Sequence, residues 1–281
     1  KIPCVVDRRG PDPVPENDSH GQFIMAVMNI YRFTGDQAFL AKHWPRVQKA
    51  VAYIESLRAQ RMTPEYQDPN TKATHQEPGK PEVSLHAFFG LVPESISHEG
   101  YSAKPMHSYW DDFFILRGLK DAAEMARVLD DKQHVEHYQQ LADDFAGALY
   151  SSIKLTMKTH GIDYIPGCVE LGDFDATSTT VALWPCGELG RLPRAALDRT
   201  FDKYWENFQK RRDDPNFAWT DYTPYELRCV GSLVLLGHPD RAREAMAFFL
   251  HDRRPPAWNQ WPEVVYKKPR TARFLGDLPH T

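Results

Sequence analysis

Hydrophobic residues recur along this chain at helical spacing, in segments that come in pairs. The run from Phe23 to Phe33 is apolar with helical rather than alternating spacing, and it ends at Thr34-Gly35-Asp36, where Gly35 suits a left-handed C-cap. After this turn, apolar residues three and four positions apart fall on one face of a second helix: Leu40, Trp44, Val47, Val51 and Ile54. The two segments predict a helical hairpin.

The same pattern returns later in the chain. It is found in 109–129 with 134–153, in 178–190 with 191–209, and within 223–252. The turns at Gly35, Gly190 and Gly237 each place a glycine at the end of one helix and an alanine early in the next. This is a degenerate internal repeat of roughly four helical hairpins.

A repeat of helical hairpins predicts an all-α fold, and we expect an α/α-barrel (toroid) that forms a single catalytic domain over 1–281. A full toroid of this kind closes with six hairpins, so roughly four hairpins make a partial barrel. The start without Met and the end within a hydrophobic-to-polar stretch also favour a fragment. An open superhelical solenoid of the same hairpins is the alternative arrangement.

Long links alternate with the short turns, which places the links on one face of a hairpin array. They are expected at 62–107, 154–172, 211–220 and 253–281. Binding and catalytic residues are concentrated in loops that a rigid scaffold positions. We therefore expect the functional site in these links.

Composition narrows the classes of partner. The net charge is -4 without a basic stripe, so nucleic acid is not an expected partner. No apolar stretch reaches the roughly 20 residues that span a bilayer, so no membrane association is expected.

The four cysteines form no C-x-x-C pair and are expected to be buried thiols. The cellular compartment stays open, and a periplasmic or secreted location is compatible with the sequence. Aromatic residues make up 12% of the chain, a composition compatible with sugar-binding clefts, although large cores use them too.

The segment 90–122 concentrates acids, histidines and aromatic residues next to the start of a helix. Asp111 and Asp112 lie in the first turn of this helix, where the macrodipole alone would explain carboxylates. A crowded apolar neighbourhood can also raise the pKa of a carboxyl into the range of a general acid. The candidate substrate-binding residues around the pair are Glu99, Tyr101, Lys104, His107, Tyr109 and Trp110.

Glycoside hydrolysis needs two carboxyl groups on opposite sides of the bond that is cleaved. A carboxyl that works with Asp111 or Asp112 must therefore come from another loop. The candidate is Glu263, framed by Trp258 and Trp261, although a surface acid beside Lys267 would look the same. Trp219, Trp258 and Trp261 are further candidate substrate-binding residues. So are Asp18 and His20, where helix N-capping by Asp18 or Ser19 explains part of the pattern and binding of sugar hydroxyls would explain the rest. Close to Trp219 in sequence, the residues Thr223 and Glu226 have the spacing of a capping box.

Other chemistries lack their motifs. No G-x-S-x-G, P-loop, G-x-G-x-x-G or H-E-x-x-H occurs, so no nucleotide cofactor or structural zinc is expected. His98 with Glu99, and His107 with Asp111 and Asp112, are the nearest approach to metal ligands, and a calcium ion among the loop acids stays open. We expect neither a cofactor nor a catalytic metal.

The segment Ser108-Tyr109-Trp110-Asp111-Asp112 at a helix start, the Gly35-Asp36 turn and the later W-x-Q-W-P-E around Glu263 resemble the six-hairpin α/α-barrel glycosidases. This group includes trehalases, processing α-glucosidases, α-rhamnosidases and glucoamylases. The resemblance implies that Asp111 or Asp112 is the general acid and that Glu263 is the base.

The leading functional hypothesis is therefore an inverting glycoside hydrolase with a carbohydrate substrate. A polysaccharide lyase or sugar epimerase on the same scaffold is the alternative enzyme, and it would use His98, Tyr101 or His107 for proton transfer. The third hypothesis is a non-catalytic helical binding protein. Because an incomplete barrel leaves apolar flanks, we also expect cover from the remainder of the barrel or self-association into a homo-oligomer.

Overall fold

The computed structural model describes residues 1–3, 5–97, 100–253, 257, 259 and 261–267. The chain is mostly helical, which confirms the all-α class. It forms two compact units, Lys1–Glu188 (unit 1) and Leu189–Thr281 (unit 2). Within the described residues, no helix combines the length and the apolar character needed to cross a membrane.

Unit 1 contains the two hairpins that the sequence predicts most clearly. Its helices are α1 (Asp18–Thr34), α2 (Gln37–Ala59), α3 (Pro64–Gln67), α4 (Tyr109–Val128), α5 (Lys132–His160) and α6 (Ala176–Leu183). Helix α1 packs against α2, and α4 packs against α5. Gly35 ends α1 with a φ of 66°, as expected for a left-handed C-cap.

Helix boundaries differ from the expectation at several points. The helix expected over 178–190 is α6, which ends at Leu183, and the next helix, α7 (Arg194–Asp213), continues three residues into the link expected at 211–220. Helix α5 continues to His160 and is capped by Gly161, so the link expected at 154–172 begins seven residues later, at 161. Helix α1 begins at Asp18 with Asn17 as the N-cap residue, and no side chain caps it. The predicted N-cap role of Asp18 or Ser19 is therefore wrong, because Asp18 already lies in the first turn.

Helix α4 is the centre of unit 1. It contacts α1, α2, α5 and α6, and side chains all round it are buried. A helix that is buried on every face needs small residues where a neighbour approaches closely. Gly21 of α1 and Gly118 of α4 supply this approach, since a Cβ on Gly21 would lie 2.0 Å from the carbonyl oxygen of Phe114.

The link between α3 and α4 folds back on itself before it reaches α4. Strand β3 (Thr74–His75) pairs antiparallel with β4 (Val83–Ser84), and a 3₁₀ turn follows over Leu85–Phe88. Two isolated bridges, Ser95 with Met106 and Ser108 with Cys168, then bring two loops to the first turn of α4. The short strands β1 (Val6–Asp7) and β2 (Gly10–Pro11) pair near the start of the chain.

Unit 2 contains the last predicted hairpin. Its elements are α7 (Arg194–Asp213), β5 (Asp221–Tyr222), α8 (Leu227–Leu235), α9 (Pro239–His251) and β6 (Val265–Tyr266). Helices α8 and α9 pack together across a turn at Gly237, and β5 pairs with β6. The capping box expected at Thr223 is wrong: Thr223 makes no capping hydrogen bond, and Glu226 instead accepts hydrogen bonds from Arg211 and Tyr204.

The remaining predicted hairpin is divided between the units, since α6 belongs to unit 1 and α7 to unit 2, and the pairing of these two helices stays a prediction. The arrangement of the hairpins as a toroid, as a single domain or as a solenoid stays a prediction. Cys168, Cys186 and Cys229 are buried free thiols, as expected. Cys4 lies outside the described residues.

Candidate active site

Unit 1 carries a cleft of about 190 Å³ with a dense set of polar side chains. Its walls come from the end of α2, the β3–β4 link, the loop before α4 and the loop after α5. Tyr66 and Phe88 supply aromatic rings. Seven lining residues are titratable or charged: Arg61, His75, Glu77, Glu94, Lys104, His107 and Glu170. Aromatic rings beside a few polar and charged groups are the usual lining of a small-molecule site.

His107 lies at the back of this cleft between a carboxylate and a guanidinium. Its Nδ1 is 2.6 Å from Glu170 Oε1, and its backbone N–H also donates to Glu170, at 3.1 Å from each carboxylate oxygen. The Arg61 Nε–H donates to His107 Nε2 over 2.9 Å. Because arginine offers only donors, Nε2 must be the acceptor and the ring proton must sit on Nδ1.

Glu94 is the carboxylate that the cleft presents to solvent. Its side chain is 48% exposed, forms an ion pair with Arg61, and lies 3.5 Å from His107 Nε2. Partial burial opposes ionisation, but the backbone N–H of Glu94, the neighbouring His107 imidazole and the Arg61 guanidinium together outweigh it, so the pKa of Glu94 is lowered. Glu94 is therefore an ionised, oriented and accessible carboxylate at neutral pH.

A second ion-pair cluster lies on the other lining segments. Glu77 is buried and accepts hydrogen bonds from Lys104 Nζ at 2.5 Å and from His75 Nε2 at 2.6 Å. The hydrogen bond from Lys104 is the main cause of the lowered pKa of Glu77. Lys104, a predicted substrate-binding residue, is 57% exposed and thus still accessible from the cleft.

The aromatic rings of the cleft pack against its charged groups. The Phe88 ring lies 4.5 Å from the His107 ring between centroids, and the Arg61 guanidinium lies 5.5 Å from the centroid of Tyr66. These contacts hold the two cationic or basic groups in place and leave the cleft with hydrophobic as well as polar walls.

Asp111 and Asp112, the predicted general acids, are 1% and 0% exposed in the first turn of α4. Asp111 Oδ2 accepts a hydrogen bond from Ser95 Oγ at 2.5 Å, and Asp112 Oδ1 accepts one from Val92 N at 3.3 Å. Burial, and for Asp111 also the charge of Asp18, raises the pKa of Asp111 to about 8 and that of Asp112 well above its ordinary value. Burial therefore favours the protonated form of both carboxyls.

The aromatic residues beside this pair are engaged within unit 1. Trp110 Nε1 donates to Asp18 Oδ2 at 2.7 Å, and the Tyr109 hydroxyl lies 2.8 Å from both Ser152 Oγ and Thr156 Oγ1. Trp110 and Asp18 were both predicted to bind substrate, and the structure brings them together in a buried contact. Tyr109 is 1% exposed.

His20 and Tyr101, two further residues that the sequence predicts to bind substrate, make hydrogen bonds within unit 1. His20 is buried, accepts a hydrogen bond from Ile2 N at 2.9 Å and stacks on Tyr53; burial lowers its pKa to about 4. The Tyr101 hydroxyl donates to Asp173 at 3.1 Å, and burial raises its pKa. Their roles in substrate binding stay predictions.

The predicted site residues of the last two links belong to unit 2. Glu263 Oε1 accepts from the Tyr225 hydroxyl at 3.4 Å, and Trp261 Nε1 donates to the carbonyl of Phe249 at 3.0 Å. Trp219 lies 5.8 Å from Lys267 Nζ, measured to the ring centroid. Glu99 and Trp258, together with His98, lie outside the described residues.

The sequence offers Glu94 only as one of the acids of the segment 90–122, and it does not single out six further cleft residues: Arg61, Tyr66, His75, Glu77, Phe88 and Glu170. Glu94 and Glu170 stand in loops rich in glycine, proline or aspartate, a weak signal that many loops share. Arg61 follows the end of α2, where a cation is ordinary. Among the described residues, no cluster of three or more His, Cys, Asp or Glu is arranged to hold a metal ion.

No protein-family model matches this chain, and none of the curated proteins does. Four chains among the solved structures match it. One is the crystal structure of a GH78 family rhamnosidase of Bacillus sp. GL1, with 13% sequence identity and a TM-score of 0.49. The match covers 83% of this chain and 21% of the rhamnosidase, so this chain spans about a fifth of that protein's length.

Proposed function

We propose that this chain belongs to a glycoside hydrolase and that the cleft around Glu94 binds its carbohydrate substrate. One observation carries the proposal: an ionised, half-exposed carboxylate stands in a cleft that also offers aromatic rings and paired charged side chains. The helical hairpins and the sequence resemblance to six-hairpin glycosidases support the same class.

Glu94 has the properties of a general base. A general base must be deprotonated at the working pH and must be reachable by water, and Glu94 meets both conditions. Arg61 and His107 fix the direction of the carboxylate, and Glu170 fixes His107 in turn. In this proposal Glu94 removes a proton from the water that attacks the sugar.

The other lining groups would bind the sugar. The faces of Tyr66 and Phe88 suit the apolar face of a pyranose ring, and the Lys104–Glu77 pair offers a donor and an acceptor for hydroxyl groups. Binding the sugar against such groups supplies the orientation that catalysis requires.

The general acid stays a prediction. Burial raises the pKa of Asp111 and Asp112 and so favours the protonated form that an acid needs, but both carboxyls are shielded from solvent. Glu263, the base that the sequence predicts, belongs to unit 2. Turnover by Asp112→Asn and Glu263→Gln measures these two roles separately from that of Glu94.

A lyase or an epimerase is the second candidate, and one observation favours it. His107 is held by Glu170 on Nδ1, which is the arrangement that orients a histidine for proton transfer. A lyase would use His107 to remove a carbon-bound proton, with Arg61 stabilising a sugar carboxylate. It would need no water.

Product analysis separates the candidates. The chain is incubated with a panel of aryl-glycosides, oligosaccharides and uronic-acid polysaccharides in water enriched in heavy oxygen. For a hydrolase we expect the heavy oxygen in the released sugar, with NMR giving the anomer first formed. A new ultraviolet absorbance from an unsaturated uronic acid, or a changed stereocentre without bond cleavage, would contradict the hydrolase and support a lyase or an epimerase respectively.

A further inference from the structure

The segment 92–97 carries Glu94 and lies against the first turn of α4. Two carboxyls of that turn hold the segment on either side of Glu94. Val92 N–H donates to Asp112 Oδ1 at 3.3 Å, and the Ser95 hydroxyl donates to Asp111 Oδ2 at 2.5 Å. The exposed Glu94 thus stands between two buried anchor points.

Further hydrogen bonds complete this attachment. The Ser95 hydroxyl also accepts from the backbone N–H of Ser97 at 2.9 Å, so one side chain links the loop to itself and to α4. The backbone of Ser95 exchanges two hydrogen bonds of 3.0 Å with Met106, and Asn17 Nδ2 donates to the carbonyl of Pro93 at 2.8 Å. Of the residues named here, Ser95 and Ser97 are 0% exposed, whereas Glu94 faces solvent.

Keeping the two acids at these positions is expensive in free energy. Both are fully buried, and Asp111 Oδ1 and Asp112 Oδ2 make no hydrogen bond to the described residues. A buried carboxyl avoids part of the cost by staying protonated, and its second oxygen can still accept a hydrogen bond. Buried carboxyls lower the stability of a fold, and they are typical of functional sites, where a fixed geometry is worth that cost.

We propose that Asp111 and Asp112 are positioning residues that anchor the segment 92–97 and thereby fix Glu94 against Arg61 and His107. This inference rests on the proposed role of Glu94 in the cleft. The hydrogen bonds of the two acids to Val92 and Ser95 are sufficient for this role. The role requires no proton transfer from either acid to a sugar.

Substitution by asparagine distinguishes positioning from acid catalysis. An asparagine amide oxygen accepts the same hydrogen bond as the carboxyl oxygen, so the anchor survives in Asp112→Asn. A general acid does not survive, because the amide has no proton to deliver. Asp112→Leu keeps the approximate size but removes the acceptor.

The experiment is amide hydrogen exchange, resolved at Val92 and Ser97, on the whole chain. We expect Asp112→Asn to keep the protection of Val92 and Asp112→Leu to exchange there about tenfold faster, the effect of one lost hydrogen bond. Asp111→Leu leaves the Ser95 hydroxyl, the acceptor of Ser97 N–H, in place but removes its carboxyl partner, so we expect faster exchange at Ser97 by a similar factor. Glu136→Gln, on the exposed surface of α5, is the control and should change neither amide.

The turnover of Asp112→Asn gives the second readout. Positioning predicts a loss smaller than about tenfold, whereas loss of a general acid costs roughly 100- to 10,000-fold. The inference is overturned if Val92 exchanges at the wild-type rate in Asp112→Leu and Ser97 does so in Asp111→Leu, or if Asp112→Asn loses turnover while protection stays intact. If one leucine variant does not fold, the other decides the exchange result, and if neither folds, the turnover of Asp112→Asn decides. If the wild-type chain hydrolyses no glycoside but exchange changes as expected, the anchor stands and the proposed function fails.

Discussion

Three buried carboxyls meet around the start of α4: Asp18, Asp111 and Asp112. Each has a different partner, since Trp110 bonds Asp18, Ser95 bonds Asp111 and the backbone of Val92 bonds Asp112. The sequence places Asp111 and Asp112 correctly in a first turn, where the helix dipole favours carboxylates. Their partners come from loops whose path depends on tertiary contacts, so the spacing of residues along the chain could not predict them.

The buried acid Asp111 makes stability depend on pH. Burial raises the pKa of Asp111 from 3.8 to about 8, so between these values the folded chain keeps a proton that the unfolded chain releases. The stability that this carboxyl contributes is fully present below its unfolded pKa and is lost as the pH rises through its folded pKa. In Asp111→Asn, which cannot ionise, we expect the free energy of unfolding to decline less over this window.

Urea unfolding at a series of pH values measures this difference. Asp143→Asn, an exposed position of α5, serves as the control for loss of a carboxyl. The prediction fails if the stability difference between Asp111→Asn and wild type is the same at the two ends of the pH window.

The helices follow the hydrophobic period closely because their apolar faces are packed: in unit 1 against α4, and in unit 2 between α8 and α9. The pattern predicts α1, α2, α4, α8 and α9 well, and the glycine turn at Gly35 is correct in detail. It fails at the end of α5, where a mostly polar turn continues the helix to the true C-cap, Gly161. Periodicity loses its signal when the last turn no longer buries an apolar face, so helix ends are less predictable than helix centres.

The contact between α1 and α4 depends on having no side chain at Gly21. A Cβ there would lie 2.0 Å from the backbone oxygen of Phe114, and backbone cannot move aside cheaply. Forcing extra atoms into a packed contact costs about 1–3 kcal/mol or more, so we expect Gly21→Ala to lower the free energy of unfolding by at least that amount. Thermal and urea unfolding measure it.

Gly147 of α5 provides the matched control. A Cβ on Gly147 meets no atom within 4 Å, so Gly147→Ala gains helix propensity and should raise stability by up to about 1 kcal/mol. Equal effects of the two substitutions, in sign and size, would show that α1 and α4 do not approach as closely as described.

At the scale of the whole molecule, the cleft is built from residues far apart in sequence. Arg61, Glu77, Glu94, His107 and Glu170 come from four separate loops or helix ends of unit 1. The sequence located the long links as the functional regions, but it could not show which of their acids face one cleft. Closure of the hairpins into a barrel and self-association stay predictions. A partner or the rest of a barrel would cover exposed apolar side chains such as Phe33 and Trp184 in unit 1, and Val234 and Leu250 in unit 2.

Turnover by Glu94→Gln tests the central claim most directly. Glutamine keeps the size of the side chain but cannot accept a proton from water, and Glu136→Gln makes the same change on the exposed surface of α5. On a glycoside that the wild-type chain hydrolyses, we predict that Glu94→Gln lowers kcat by roughly 100- to 10,000-fold while Glu136→Gln keeps the wild-type rate. A folded Glu94→Gln variant that hydrolyses the glycoside at the wild-type rate, or a wild-type chain that hydrolyses none of the panel, would contradict the account.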